Sequence, residues 1–127
     1  MPAPSPLTIA TQAVNRLVKE EQYYQKELAQ QTERVKKLEA EAANGSGGGG
    51  GGDSDDDNAE FMLKQERKAL EETKTVFLPL SEKIGEAVRR LEEQIATAES
   101  EGGSADEMAK AKEALELGRT AGQPAAV

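Results

Sequence analysis

Apolar side chains recur at a heptad spacing along two long stretches of this chain. In the first stretch the repeating positions are Val14, Leu28, Val35 and Ala42, with Leu17, Tyr24 and Leu38 three residues on. In the second stretch they are Leu63, Leu70, Phe77, Ile84, Leu91 and Ala98. A period of about 3.5 residues keeps one narrow stripe of a helix facing a neighbouring helix. The pattern therefore predicts helices that pack on one another, and a protein that acts through its surfaces.

The first helix is predicted over residues 8–43. Thr8 or Thr11 can cap its start, because a threonine oxygen accepts a hydrogen bond from the free amides of the opening turn. Asn44-Gly45 supplies the left-handed residue that often ends a helix. Residues 1–7 alternate proline with other residues and are predicted to be a disordered tail.

The second helix is predicted over residues 58–99, with Asn58 at its start. Pro79 lacks the amide that a helix interior requires, but Phe77 and Ile84 keep the heptad step across it. We therefore expect a kink within one long helix. For Gly85, two interpretations stay open: close approach of a neighbouring helix, or simple tolerance of glycine.

A third, shorter helix is predicted over residues 104–118. Ser104 with Glu107 has the spacing of a capping box, and Met108, Ala111 and Leu115 form an apolar stripe. Residues 119–127 are predicted to be a disordered tail. Together the segments predict an all-α, coiled-coil-like, three-helix up-down-up bundle whose third helix is short and must dock on the other two.

The connection over residues 44–58 contains only glycine, serine, aspartate and asparagine, and we expect it to be a flexible linker. Its glycine run lacks the preceding strand of a phosphate-binding loop. Its alternating aspartates lack the closing glutamate of a calcium-binding EF-hand loop. The sequence thus gives no ion-binding motif here.

Composition argues against catalysis. The sequence has no cysteine and no histidine, which removes thiolate nucleophiles, imidazole bases and the usual zinc ligands. Thin helices seldom form the pocket that carboxylates and lysines need for acid–base work. We expect no enzyme activity, no cofactor and no metal. With no apolar run long enough for a membrane and no signal peptide, a cytoplasmic protein is expected.

The net charge of −8 is concentrated in the linker, since residues 44–60 hold five acidic residues and no basic one. The predicted helices carry nearly balanced charges of mixed sign. Nucleic acid is therefore not an expected partner, because its phosphates require a basic stripe.

Two helical segments resemble tubulin-binding cofactor A. In the first helix the likeness lies in residues 11–20 (TQAVNRLVKE), residues 24–27 (YQKE) and the pair Gln30-Gln31. In the second it lies in Lys64-Gln65, in Leu70 with Glu72, and in Pro79. The resemblance covers residues 8–118. It implies a chaperone that binds β-tubulin released from the cytosolic chaperonin and holds it on the way to the αβ heterodimer, without nucleotide or covalent chemistry, in the cytoplasm and associated with the cytoskeleton.

The outer side of the first helix is the candidate surface for β-tubulin. It lies away from the seam positions Val14 and Leu17, and the core does not require its side chains. These candidate residues are Arg16, Lys19, Glu20, Tyr23, Lys26 and Glu27. Tyr24, at a seam position, is expected in the core.

A second hypothesis is a self-associating coiled-coil module without a tubulin role. The seam positions Glu21 and Gln31 are polar, which is costly inside a tight two-helix contact. Whether the chain is a monomer or a homodimer stays open.

Overall fold

In the computed structural model the backbone is described for residues 3–45 and 53–121, and side chains for residues 3–43 and 58–121. The described residues form four helices: α1 (Pro6–Gly45), α2 (Asp53–Lys74), α3 (Phe77–Glu101) and α4 (Ala105–Ala121). The predicted all-α class is confirmed. The helices belong to two compact units, and α1 contributes to both.

The first unit, here called the three-helix unit, contains the described residues of 1–22 and 77–121. Within it α3 and α4 run antiparallel, because Arg119 pairs with Glu92 at 2.9 Å and Lys112 approaches Glu99 at 4.0 Å. The turn between these helices contains Gly102, whose φ of 75° is in the left-handed region that glycine tolerates. Helix α3 therefore ends at Glu101, two residues beyond the predicted end.

The start of α1 runs parallel to α4, which gives the three-helix unit an up-down-up order. Ser5 contacts Glu107 at the beginning of α4, and Val14 lies beside Gly118 near its end. An alanine Cβ at position 118 would lie 2.6 Å from Val88 and 2.9 Å from Val14. Glycine is therefore what allows α4 to approach the other two helices so closely.

The core of the three-helix unit is a continuous apolar layer. Its buried apolar side chains are Leu7, Ala10, Val14, Val18, Leu80, Ile84, Val88, Leu91, Ile95, Ala111 and Ala114. Val14, Ile84 and Leu91 are fully buried, which confirms these predicted heptad positions. The sequence did not assign the second row of α3, formed by Leu80, Val88 and Ile95.

The second unit, here called the hairpin unit, contains the described residues of Tyr23–Val76. Its two helical segments lie side by side, because Arg34 approaches Glu66 at 3.7 Å and Arg67 pairs with Glu39 at 3.2 Å. The predicted seam residues Tyr24, Leu28, Leu38, Leu63 and Leu70 are half-buried. A two-helix contact covers each stripe from one side only, so the seam is thinner than the core of the three-helix unit.

Helix α1 begins earlier than predicted, inside the predicted tail of residues 1–7. Ser5 is the cap, and its Oγ accepts a hydrogen bond from Thr8 N at 3.1 Å. Pro6 takes the first helical position, where proline loses no helical hydrogen bond, and Leu7 is buried. Thr11, a predicted cap, instead donates to Leu7 O at 2.8 Å. Residues 1 and 2 lie outside the described range.

Pro79 marks an interruption in the second predicted helix. Two turn residues, Thr75 and Val76, separate α2 from α3, where the sequence predicted a kink within one helix. Val76 N bonds to Thr73 O at 3.1 Å, so the last turn of α2 is tightened. Pro79 then falls in the first turn of α3, where its missing amide costs no helical hydrogen bond.

The predicted linker and C-terminal tail are shorter in the structure. Helix α1 continues through Gly45 and α2 already begins at Asp53, so only residues 46–52 of the predicted linker lie outside the described range. Acidic residues are favourable in the opening turn of a helix, which explains the early start of α2. Helix α4 continues to Ala121 rather than ending at Gly118, and residues 122–127 are outside the described range.

Candidate protein-binding surface

The six residues that the sequence assigned to a partner surface all lie on α1, three in each unit. In the three-helix unit, Arg16, Lys19 and Glu20 are exposed. They lie on the side of α1 opposite Val14, because helical rotation places residues two, five and six positions on away from it. None of the three forms an ion pair with another residue of the described ranges. Their charged groups are therefore free to meet a partner.

Ile9 adds an apolar member to this part of the surface. Its side chain is 55% exposed, and it lies seven residues before Arg16 and eleven before Glu20, on the same face of α1. The sequence analysis did not select Ile9, because it lies outside the heptad series. The signal that could have identified Ile9 is a large apolar side chain on a polar face of the helix, away from the seam.

In the hairpin unit, Tyr23 and Lys26 are exposed and Glu27 is half-buried. A hydrogen bond to Glu27, one turn further on, raises the pKa of the Tyr23 hydroxyl, and the charge of that carboxylate raises it further. The Tyr23 ring is 61% exposed and meets the half-buried Tyr24 ring edge to face, with centroids 5.4 Å apart. Tyr23 is therefore an accessible side chain with an apolar ring and a polar hydroxyl, both of which can contact a partner.

A groove of about 460 Å³ lies between α1 and α4 in the three-helix unit. Its walls carry hydroxyl, amide and carboxylate groups and one lysine, with apolar atoms at Ala114 and Leu117. The lining residues are Thr8, Thr11, Gln12, Asn15, Glu107, Lys110, Glu113, Ala114 and Leu117. The sequence analysis missed this groove, because it depends on which faces of two distant segments meet.

Two polar residues are buried at seam positions. Glu21 is 6% exposed in the three-helix unit, and burial raises the pKa of its carboxyl group above the ordinary value of 4.5. Gln31 is 7% exposed in the hairpin unit, and its Oε1 has no hydrogen-bond partner among the described residues. A buried acceptor without a partner is costly, so Gln31 weakens the hairpin seam.

Within the described ranges, no group of three or more acidic side chains is placed to hold a metal ion. No helix in the same part of the chain is long and apolar enough to cross a bilayer. The exposed residues named above offer charged groups and hydrogen bonding beside a few exposed apolar side chains.

A comparison with protein families gives one result that covers most of the chain. The family model described as tubulin binding cofactor A matches residues 2–115. Comparisons with curated proteins and with solved structures gave no significant match. The matched range includes all six surface residues and Ile9.

Proposed function

Because the chain belongs to the tubulin binding cofactor A family, we propose that it captures β-tubulin released from the cytosolic chaperonin and holds it until the αβ heterodimer forms. The family implies a tubulin-binding cofactor role. The proposal adds three points to that role: the choice of β-tubulin, the step after the chaperonin, and a cytoplasmic location associated with the cytoskeleton. On this proposal the protein acts by binding alone, without enzyme activity or a cofactor.

One observation in the three-helix unit carries the proposed surface: Ile9, Arg16, Lys19 and Glu20 are exposed on one face of α1. Arg16, Lys19 and Glu20 have no ion-pair partner among described residues, and Ile9 is exposed beside them. Protein interfaces combine an apolar contact with a surrounding polar rim. We propose that Ile9 packs against β-tubulin while the three charged groups pair with it.

The hairpin unit offers a second set of contacts. Tyr23 is the large aromatic side chain of this set, and tyrosine is enriched among the residues that dominate binding energies. Lys26 is exposed beside it, and Glu27 accepts the Tyr23 hydrogen bond. On this proposal Tyr23 and Lys26 contact β-tubulin, and Glu27 fixes the orientation of the tyrosine ring.

Co-elution tests the function directly. The purified chain is mixed with β-tubulin, or with α-tubulin as the control, and passed over a size-exclusion column. We expect a stoichiometric complex with β-tubulin only. Capture of neither subunit by a chain with full helix content would refute the tubulin role, and equal capture of both would refute the preference for β-tubulin.

Charge reversal tests the surface in each unit separately. In the three-helix unit, R16E/K19E should weaken capture at least tenfold, whereas K83E/R89E on α3 makes the same charge change at exposed positions and should leave capture intact. In the hairpin unit, K26E should weaken capture and K36E should not. If each variant and its control weakened capture equally at unchanged helix content, net charge rather than this surface would govern binding.

Self-association is the second candidate function, and exposed apolar residues of the hairpin unit favour it. Phe61 is 60% exposed and Met62 is 47% exposed on α2. A second copy could cover them. Sedimentation equilibrium distinguishes the cases: a monomer mass independent of concentration removes this candidate, and a dimer whose dissociation is promoted by F61S/M62S supports it.

A further inference from the structure

One hydroxyl group performs two tasks at the beginning of the three-helix unit. Ser5 Oγ accepts the hydrogen bond from Thr8 N that caps α1. The same hydroxyl donates its hydrogen to Glu107 Oε2, in the first turn of α4, at 2.9 Å. Ser5 therefore both starts one helix and connects it to another.

The sequence around this hydroxyl has the form of a kinase substrate. Ser5 is followed by Pro6, and nowhere else in the sequence does proline follow a serine or threonine. Serine followed by proline is the minimal dipeptide that proline-directed kinases accept. Residues 3–5 lie outside any helix, Ala3 and Pro4 are exposed, and Ser5 is half-buried. We propose that Ser5 is a phosphorylation site for a proline-directed serine/threonine kinase, and that its phosphate releases the first turn of α4 from α1.

The covalent step requires a nucleoside triphosphate and the kinase. Ser5 Oγ attacks the γ-phosphorus of ATP, the new Oγ–P bond forms, and the bond between that phosphorus and the ADP leaving group breaks. The hydroxyl proton passes to the base of the kinase. Leu7, two residues on, is buried, so the first turn of α1 must open briefly for the kinase to bind this segment.

Phosphorylation preserves one task of the hydroxyl and removes the other. The phosphate oxygens accept hydrogen bonds from the free amides at the start of α1, and the helix dipole favours their negative charge. The donor to Glu107 is lost, because phosphorus replaces the hydrogen that made the bond. The Glu107 carboxylate then faces a group that carries about −1.5 to −2 charges at neutral pH.

The surroundings of Ser5 favour release of α4 over a new contact. Asp106 is a second acid in the first turn of α4. Lys110, on the same helix, lines the groove between α1 and α4 together with Glu107. The phosphate would meet Glu107 at hydrogen-bond distance but Lys110 only a turn further along the helix. Repulsion at the closer contact should therefore dominate.

Helix α4 can respond locally. Its fully buried residues begin at Ala111, and its first turn contacts the start of α1 through the partly buried Glu107. A helix of 17 residues is marginal without tertiary packing. Loss of the Ser5 contact should open its first turns while Ala111, Ala114 and Gly118 stay packed.

Mass spectrometry tests the modification. The folded full chain is incubated with ATP and a proline-directed kinase, and its phosphopeptides are mapped. We expect one phosphate on Ser5, no incorporation in S5A, and incorporation reduced at least tenfold in P6A. A chain that is phosphorylated only after denaturation, or equally well in P6A, would overturn the assignment.

Hydrogen exchange tests the consequence on the phosphorylated full chain. We expect the amides of Met108 to Lys112 to exchange several-fold faster than in the unmodified chain. In E107Q, which removes the facing charge, phosphorylation should change exchange much less, whereas E113Q, on the same helix, should behave as the parent chain does. Unchanged exchange in α4, or an equal change in E107Q, would overturn the release of α4. Neither test depends on tubulin binding.

Discussion

At the scale of single residues, the structure separates positions that look alike in the sequence. Gly85 and Gly118 are both glycines within helices. A Cβ at position 85 would meet nothing within 4 Å, whereas one at position 118 would press on Val88 and Val14. Of the two interpretations left open for Gly85, simple tolerance is therefore correct, and the close helix approach belongs to Gly118.

The two glycines should respond to alanine in opposite directions. G85A should stabilise the protein by about 0.5–1 kcal/mol, since alanine is the better helix former and fits without contact. G118A should destabilise it by about 1–2 kcal/mol, because crowding between two stiff valines outweighs the same propensity gain. Urea unfolding of both variants checks this. Stabilisation by G118A would show that the three helices can separate without cost.

Glu21 should give the protein a pH-dependent stability. Burial raises the pKa of this carboxyl group in the folded state above its ordinary value of 4.5. At pH values between 4.5 and the raised pKa, the folded state therefore binds more protons than the unfolded state. The free energy of unfolding should then fall as the pH rises through the raised pKa. Urea unfolding between pH 4 and pH 8 should show this fall for the parent chain and a smaller one for E21Q. The exposed neighbour variant E20Q carries the same charge change and should retain the fall.

At the scale of elements, local chemistry determines where helices begin and end. Each of the three helical regions predicted from the sequence is helical over most of its length in the structure. Apolar periodicity makes this possible, because it extends along the whole length of a helix. The predicted boundaries were less accurate. Ser5 rather than a threonine caps α1, and α4 passes through Gly118, because a buried glycine there is stabilised by packing that no local signal reveals. The interruption at Thr75–Val76 could not be distinguished from a kink, since the heptad spacing is the same in both.

Removing Pro79 should lengthen the helix across the interruption. In P79A the amide of residue 79 can bond to Thr75 O, so Thr75 and Val76 can adopt helical geometry. NMR chemical shifts of these two residues should move towards helical values, with a stability change below about 1 kcal/mol. P6A, also in a first turn, should show no such extension, because Ser5 still caps α1. Unchanged shifts at Thr75 and Val76 would show that packing, not proline, interrupts the helix.

At the scale of the whole molecule, burial differs between the two units. The three-helix unit holds every described buried residue except Gln31 and Val35, which lie in the hairpin unit. The hydrophobic effect scales with the apolar area removed from water, so it stabilises the two units unequally. Three of the six candidate surface residues belong to each unit, so one half of the set lies on the unit with more buried residues and the other half on the unit with fewer.

The hairpin unit should open more readily than the three-helix unit. Its backbone amides should exchange by local opening, faster than those around Ile84 and Leu91. Q31L should slow exchange in the hairpin unit and stabilise it by about 1 kcal/mol, because it removes a buried acceptor that lacks a partner. Q30L, at the exposed neighbouring position, should have no such effect. Equal exchange in both units would contradict the difference in burial.

The sequence by itself determined the all-α class, the approximate helical regions, the buried positions Val14, Ile84 and Leu91, and the family. These follow from periodicity and residue type, which act locally and along one helix. Only the tertiary structure decided which glycine is a packing residue, that Ser5 contacts Glu107, and that α1 and α4 enclose a groove. Such contacts join residues far apart in the chain, and their geometry depends on how whole helices approach one another.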